Sequence, residues 1–317
     1  MLSNRPLVSI LIPVFNRANI IAETITSALS QTYENIEIII VDNASTDDTW
    51  LTICSYAEKH PQLKVFQNES NLGPVRNWQS CVEKASGELG KILWSDDLIS
   101  PDFIEKTIPY FENDQVGFVY TAAKIFADTP DKGTVVHRNS DSGIYDTELF
   151  IQGDLNRKGF PVSPGCAIFY LEDIKKNLKL DIPNSINSDF SMHAIGNDLL
   201  LFLLTANKYQ KYGHVAQPLA FFRSHADSIS IKSTSGKLPL HYQVARAYYI
   251  ENYRKDLIEE LNAHLYIDLR KHPKSKEFGL YSVADFYVEK INTRVKPSKV
   301  IKILASKLLS KILLHFK

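Results

Sequence analysis

The stretch LVSILIPVF, residues 7–15, consists almost entirely of apolar and β-branched residues. A short run of this kind is typical of a β-strand that is covered on both faces. Residues 20–29 follow with apolar side chains at helical spacing, and IEIIIVDN, residues 36–43, forms a second apolar run. Strands that alternate with helices in this way predict an α/β fold with a mostly parallel central sheet and helices on both faces.

The alternation continues through the first hundred residues. We predict strands in LKVFQN (63–68) and KILWSDD (91–97), and helices over residues 45–60 and 75–85. In such sheets, ligands bind beyond the carboxyl ends of the strands. We therefore expect the polar residues at those ends to line one crevice: Asn16, Asp42, Asn43, Asn71 and Asp96.

After Asp97 the pattern loosens. A strand is predicted at 116–126, a loop-rich region at 131–165, a buried helix at 197–209 and a closing strand within 214–225. Beyond this point the residues become typical of helices, with many Tyr, Lys and Glu. The chain is therefore predicted to divide into two domains, residues 1–235 and a helical C-terminal extension over residues 236–317.

The overall charge neither favours nor excludes nucleic acid, because 36 Lys and Arg balance 36 Asp and Glu. The distribution is uneven, since residues 294–317 carry seven basic side chains and no acidic one. A helix is predicted in this tail, with Pro297 in its first turn, a position that favours proline. Its apolar stripe is formed by Val300, Ile301, Leu304, Leu308 and Ile312.

Two interpretations of the basic tail stay open. A helix rich in Lys and large aliphatic residues is typical of contact with an anionic membrane surface. The same helix could instead pack on the body of the protein or form a homodimer contact. No nucleic-acid partner is predicted.

The three cysteines, Cys54, Cys81 and Cys166, lack any C-x-x-C spacing, which fits reduced thiols in the cytosol. The N-terminal apolar run is too short for export, and no run of about 18 apolar residues occurs. We therefore predict a cytoplasmic protein, peripheral on the inner face of the cell membrane if the tail binds lipid.

The pair Asp96-Asp97 raises a chemical question. Adjacent carboxylates repel each other unless a cation sits beside them. A hard divalent ion held by carboxylate oxygens can neutralise a phosphate leaving group, and one or two protein ligands suffice when phosphate and water supply the rest. The alternative is that both side chains are solvated residues at a strand end.

Six segments occur in order along the chain: PVFNR (13–17), VDNASTDDT (41–49), NLGPVRN (71–77), LWSDDLISPDF (93–103), GND (196–198) and PLAFFRSHADSIS (218–230). Together they resemble the nucleotide-sugar-dependent glycosyltransferases of family 2. The resemblance covers roughly residues 5–232 and implies the GT-A fold, which is Rossmann-like. It divides the first domain into a nucleotide-binding half, 1–100, and an acceptor half, 101–235.

The resemblance also implies an activity. It predicts transfer, with inversion, of a hexosyl or N-acetylhexosaminyl group from a UDP-sugar donor to a glycan or lipid-linked glycan, in surface polysaccharide biosynthesis. A divalent metal, Mn²⁺ or Mg²⁺, would assist. Two rivals stay open: a catalytically idle sugar-nucleotide-binding or scaffolding protein, and a nucleotidyltransferase, although PVFNRANI lacks the glycines of a phosphate loop.

Metal binding is implied for Asp96, Asp97 and His225 by the same resemblance. The family motif begins with a further Asp, and Trp94 occupies that position here. His225 follows the family's R-x-H pattern and could equally be structural. The resemblance implies a set of nucleotide-binding residues: Pro13, Phe15, Asn16, Asp42, Asn71, Arg76, Ser95 and Arg223. Among them, Asp42 could instead be a loop cap and Arg76 a surface residue.

Direct displacement requires a base for the attacking hydroxyl. In the family this is the Asp of an E-D pair at a helix start, and here the pair is Asn197-Asp198. Asp198 is therefore the predicted base, and a helix N-terminus favours its ionised form. A helix cap is the alternative role, and Asp189 is the nearest rival acid. Ser163 and Gly165 are expected near the acceptor.

Overall fold

A ten-stranded sheet organises the first of two compact units in the computed structural model, which describes residues 2–225 and 236–315. The strands have these bounds: β1 Val8–Val14, β2 Ile36–Asp42, β3 Leu63–Gln67, β4 Leu89–Ile92, β5 Leu98–Ile99, β6 Val116–Phe126, β7 Thr134–Val136, β8 Gly143–Asp146, β9 Ala167–Tyr170 and β10 Lys211–Arg223. The α-helices are α1 Ile21–Leu29, α2 Thr49–Ala57, α3 Pro74–Lys84, α4 Phe103–Thr107, α5 Thr147–Leu155, α6 Leu171–Asn177, α7 Phe190–His193, α8 Asn197–Lys208, α9 Lys237–Tyr253, α10 Ile258–Lys271 and α11 Pro297–His315.

Residues 1–100, the predicted nucleotide-binding half, contain a group of parallel strands, as their apolar runs predict. Strands β3, β2, β1 and β4 lie side by side and are parallel throughout. Every residue of β1 is buried, as expected for a strand covered on both faces. Val14 pairs with Asp42, and Asp42 pairs with Gln67, so the carboxyl ends of these three strands form one edge.

The acceptor half continues the sheet in the order β9, β6, β10 and β5. Strand β9 is antiparallel to both β4 and β6, and β6 is parallel to β10. Six strands of the described sheet, β1 to β4, β6 and β10, therefore run in one direction, and β5, β7, β8 and β9 run the other way. The predicted α/β sheet is confirmed.

Two predictions about strands and loops were wrong. The strand predicted at 91–97 ends at Ile92, because its pairing with β1 stops at Leu11 and the Asp97 N–H then closes a turn on the Trp94 carbonyl, 3.0 Å away. Residues 131–165 are loops only in part, since β7, β8 and α5 lie within them. Strand β7 pairs with the nearby end of β6, whereas β8 pairs with β10, which is distant in sequence and cannot be identified from local pattern.

The second unit comprises Asp181–Asp189 and Asp227–Lys317, and its described helices are α9, α10 and α11. Helix α11 packs on α10 by burying Ile303 against Ala263 and Ile267. Two ion pairs flank this contact, Lys296 with Glu259 at 2.5 Å and Lys299 with Glu260 at 2.8 Å. The domain boundary at residue 235 stays a prediction. Among the described helices, none is long and apolar enough to cross a bilayer.

Candidate functional site

The edge formed by the carboxyl ends of β1, β2 and β4 gathers most of the predicted site residues. Asp42 ends β2 and is fully buried. Its carboxylate accepts hydrogen bonds from the Ser45 hydroxyl, from the Ser45 N–H at 3.0 Å and from the Gln67 amide at 2.9 Å. The Asp42 carboxylate is thereby held in one orientation at the end of its strand.

The loop after β1 lies against the loop after β2. Asn16 has a left-handed backbone, with φ of 51°, and its side-chain oxygen accepts the Thr46 N–H at 2.8 Å. The Asn16 N–H donates to Ser45 at 2.9 Å, so Asn16 and Asp42 share a partner. Pro13 is buried within β1, whereas Phe15 is 37% exposed beside this loop.

A network of amide side chains joins these loops to the start of α3. The Asn43 amide donates to Asn71 at 2.9 Å, and the Asn43 oxygen accepts from Asn68 at 2.9 Å. The Asn77 amide donates to the Val41 carbonyl at 3.1 Å. Asn71 is thus positioned by Asn43, while Asn68 and Asn77 were not assigned roles from the sequence.

Asp96 and His225 approach each other at the same edge. The His225 Nε2 atom lies 2.9 Å from Asp96 Oδ2, and Arg17 brings a guanidinium nitrogen to 3.8 Å from the same oxygen. The His225 and Asp96 side chains are thus hydrogen-bonded to each other. Their carboxylate oxygen and imidazole nitrogen are donor types that also bind divalent ions. Arg17 was not assigned a role, and its only signal was its place directly after β1.

Asp97 lies behind this pair and is buried. Its Oδ1 accepts the Arg223 N–H at 2.8 Å, which joins the turn after β4 to the end of β10. Burial, and next the charge of Asp96, raise the pKa of Asp97 well above its usual value. Within the described part of the chain, no group of three or more His, Cys, Asp or Glu side chains is arranged to hold a metal.

The Arg223 side chain is engaged by protein groups. Its Nε donates to the Asp96 carbonyl at 3.0 Å, and a terminal nitrogen pairs with Glu23 at 2.6 Å. Its guanidinium also lies 4.9 Å from the centre of the Phe126 ring. Arg223 therefore braces the Asp96 turn in this structure. Residues 226–230, the end of the last family-like segment, lie outside the described residues.

Trp94, which replaces the family's first Asp, turns its indole toward the acceptor half. The indole Nε1–H donates to the Ser163 hydroxyl at 2.8 Å, and the ring centre lies 4.6 Å from that of Trp78. Ser95, between Trp94 and Asp96, is 9% exposed.

Lys91 was not identified from the sequence, although a lysine within an apolar strand is a signal. It is fully buried on β4, and its ammonium donates to the Ile92 carbonyl at 2.6 Å and to the Gly165 carbonyl at 2.5 Å. Burial lowers the pKa of Lys91 to about 7.

Asp198 lies in the first turn of α8 and is 8% exposed. Its Oδ1 accepts the N–H groups of Gly196 at 3.0 Å and Leu199 at 2.8 Å. The preceding Gly196 has φ of 112°, a backbone conformation that glycine adopts without strain. Asn197, which replaces the family's Glu, donates its amide to the Lys179 carbonyl at 2.7 Å. Asp189 belongs to the other compact unit.

Helix α7 connects this region to the start of α3. Arg76 donates to the Ser191 hydroxyl at 2.9 Å. Gly73 has φ of 83°, and a Cβ atom there would lie 2.6 Å from the Met192 sulfur, so a larger residue would strain the backbone and displace the Met192 side chain. The start of α3 is therefore packed against the segment that leads into Asp198.

Comparisons with known proteins agree with this architecture. The model of glycosyl transferase family 2 matches residues 9–177, more than half of the chain. An uncharacterized glycosyltransferase of Haemophilus influenzae is 37% identical over 107 residues, which are 34% of this chain and 43% of that protein. The minor teichoic acid biosynthesis protein GgaB of Bacillus subtilis is 25% identical over 230 residues, or 72% of this chain and 24% of GgaB. The chain thus spans less than half the length of each of these curated relatives.

Solved structures show the same fold. The S. aureus TarS fragment 1–349, crystallised with UDP-GlcNAc, superposes with a TM-score of 0.65 at 16% identity, covering 94% of this chain and 80% of that one. The GT-A-type sheet predicted from the sequence is therefore confirmed. Because the family model covers more than half of its residues, this chain belongs to glycosyl transferase family 2.

Proposed function

We propose that the protein is an inverting glycosyltransferase that moves a hexosyl or N-acetylhexosaminyl group from a UDP-sugar to a glycan or lipid-linked glycan acceptor. The 2.9 Å approach of Asp96 to His225, at the edge where Asp42 ends β2, supports this proposal most directly. That edge is where wound α/β sheets bind nucleotides. The family membership makes glycosyl transfer the reaction class that suits these residues.

The choice of UDP and of polysaccharide biosynthesis is supported by relatives. The TarS fragment holds UDP-GlcNAc, and GgaB is a minor teichoic acid biosynthesis protein. A glycan or lipid-linked glycan of a surface polymer is therefore the acceptor class that we propose for this chain.

Asp96 and His225 would hold the divalent ion, Mn²⁺ or Mg²⁺. Bound there, the ion would neutralise negative charge on the diphosphate as the sugar departs. We propose that Asp97 supports this pair rather than coordinating the ion, because its carboxylate accepts the Arg223 N–H. The guanidinium of Arg223, the expected ligand of the diphosphate, is engaged by Glu23 and the Asp96 carbonyl. We therefore propose that Arg17, which lies near Asp96, binds the diphosphate instead.

The nucleoside end of the donor is proposed to lie on the loops after β1 and β2. A buried uracil must not leave its imide N–H without an acceptor, and Asp42 is the proposed one. Because Asp42 is fully buried, it would have to exchange its Ser45 or Gln67 hydrogen bond for the uracil. Phe15 and Asn16 would pack beside the base. Asn71 and Arg76 would border the opposite side, at the start of α3.

Asp198 is proposed to act as the general base. An acceptor hydroxyl would attack the anomeric carbon from the face opposite the diphosphate and give its proton to Asp198. The new glycosidic C–O bond forms as the bond to the diphosphate oxygen breaks, so the configuration inverts. The N–H groups of Gly196 and Leu199 hold the Asp198 carboxylate in place for this transfer.

We also propose that α11 contacts an anionic membrane surface, which would place the enzyme on the inner face of the cell membrane. Ile303 faces α10, whereas Ile301, Leu304 and Leu308 are exposed and Lys302 lies on the exposed surface with them. Basic residues near such a surface contribute about 1 kcal/mol each. Co-sedimentation with phosphatidylserine vesicles tests this membrane contact. A protein that is a dimer in solution and does not sediment with the vesicles would favour the homodimer contact. The side chain of Ile312 lies outside the described residues.

A donor panel tests the main proposal. UDP release should require a divalent ion, Mn²⁺ or Mg²⁺, and should occur with one UDP-sugar of the panel. The release should increase when a glycan acceptor is added. A protein that binds UDP-sugars tightly but never releases UDP would be an idle binding or scaffolding protein. Release of pyrophosphate from a nucleoside triphosphate and a sugar phosphate would indicate a nucleotidyltransferase.

A further inference from the structure

Trp94 is held rigidly two residues before Asp96. Its indole Nε1–H donates to the Ser163 hydroxyl at 2.8 Å, and its ring packs on Trp78 with centres 4.6 Å apart. Trp94 keeps part of its surface exposed. Trp94 is therefore a partly exposed aromatic residue that is held in place two positions before Asp96.

The loop at Gly165 is shaped around this ring. A Cβ atom on Gly165 would lie 3.0 Å from two ring atoms of Trp94 and 3.0 Å from Phe222, closer than ordinary van der Waals contact. The buried Lys91 ammonium fixes the same loop through the Gly165 carbonyl at 2.5 Å. Lys91 on β4 and the absence of a side chain at Gly165 thus together allow the loop to approach the indole closely.

The Ser163 hydroxyl can donate a hydrogen bond. It accepts hydrogen bonds from Trp94 Nε1 and, at 3.3 Å, from the Gly165 N–H, which uses both of its lone pairs. No acceptor for its own proton is found in the parts of the chain that the structure describes. The proton can therefore be donated to an oxygen of a ligand.

An aromatic ring next to a hydroxyl donor suits a pyranose. The electron-rich face of indole attracts the positively polarised C–H groups on one side of a sugar ring, while the hydroxyl binds a sugar oxygen. A tryptophan cannot take the metal or ribose contact that a carboxylate would make in its place. We propose that Trp94, Ser163 and Gly165 form a pyranose subsite beside the Asp96 and His225 pair. This inference rests on the proposed function and deepens it, and the sugar could belong to the donor or to the acceptor.

Titration with UDP, with UDP-N-acetylglucosamine and with free N-acetylglucosamine tests the subsite. For Trp94→Ala we expect an unchanged Kd for UDP and a Kd about tenfold higher for a sugar-bearing ligand, since an aromatic contact of this kind contributes about one power of ten. Trp94→Phe keeps a ring and should lose less affinity, and Ser163→Ala should lose about threefold. Trp50→Phe, on α2, is the matched control and should change nothing.

The ligand that is affected identifies the source of the sugar. Weaker binding of UDP-N-acetylglucosamine alone assigns the donor sugar, and weaker binding of the free monosaccharide to UDP-loaded protein assigns the acceptor. Equal affinities of wild type and Trp94→Ala for every sugar ligand would overturn the subsite. A wild-type protein that binds no nucleotide would overturn the proposed function instead, and the monosaccharide titration, followed by tryptophan fluorescence, would then decide the subsite by itself.

Discussion

His225 Nε2 lies 2.9 Å from Asp96 Oδ2, although the two residues are 129 positions apart in the chain. Strands β4 and β10 run in the same direction, so the residues that follow them meet at one edge of the sheet. The two side chains form a direct hydrogen bond across this edge, so a ligand that binds there meets both of them.

Removing either member of this pair should weaken metal binding. We expect Asp96→Ala to raise the Kd for Mn²⁺ about 100-fold, and His225→Ala about tenfold, because each takes one ligand from a site with few protein ligands. Isothermal titration with Mn²⁺ in the presence of UDP measures both effects. Asp102→Ala, an acid that pairs with Lys106, is the matched control. An unaltered Kd for Mn²⁺ in Asp96→Ala would show that Asp96 is a turn residue that does not bind the ion.

Asp198→Asn should separate chemistry from binding. The amide oxygen can still accept the Gly196 and Leu199 N–H groups, but an amide cannot take a proton. We expect kcat to fall by about 10²- to 10⁴-fold with the Kd for UDP-sugar unchanged. Asp173→Asn is the control, because Asp173 binds Lys208 at the far end of α8 and its loss should lower Tm without lowering kcat. Full turnover in Asp198→Asn would assign Asp198 to helix capping.

Arg17→Ala should weaken binding of the donor through its diphosphate. The guanidinium lies 3.8 Å from Asp96 Oδ2, and a charged hydrogen bond to phosphate contributes enough for a rise in the Kd of UDP of about 10- to 100-fold. Uridine, which lacks phosphate, should bind Arg17→Ala and wild type equally. Arg5→Ala, which removes an exposed arginine paired with Glu34, should leave both affinities unchanged. Equal losses for UDP and uridine would indicate a structural role for Arg17.

Acid should destabilise the protein partly through Glu37. Burial opposes ionisation of this carboxyl, but hydrogen bonds from Lys64, Ser9 and Ser86 outweigh it and lower the pKa from 4.5 to about 2. The ionised group therefore stabilises the fold above about pH 4.5, and this contribution is lost as the pH falls toward about 2.

For Glu37→Gln we expect a free energy of unfolding lower by about 2 kcal/mol at pH 7 and a flatter decline between pH 4.5 and pH 2. Urea unfolding at several pH values measures this. Glu34→Gln, at an exposed neighbouring position, should behave as wild type. Identical acid profiles for Glu37→Gln and wild type would contradict the assignment.

Local pattern predicted the nucleotide-binding half well, because buried parallel strands are apolar runs that sequence shows directly. Strand β6 has the bounds predicted for it, Val116–Phe126. The early end of β4 at Ile92 and the strand β8 could not be predicted, since pairing with a strand distant in sequence decides them. The contacts of Lys91 and Arg17 could not be predicted for a similar reason, because their partners Gly165 and Asp96 lie far along the chain.

By itself, the sequence determined the order of strands and helices, the family and the set of polar residues at the strand ends, since these follow from local periodicity and short motifs. The tertiary structure alone decided which of those residues meet. It placed His225 on Asp96, turned Trp94 toward Ser163 and engaged Arg223 with Glu23. The physical reason is that sheet pairing and close packing act between residues distant in sequence, whereas hydrophobic periodicity records only what neighbouring residues require.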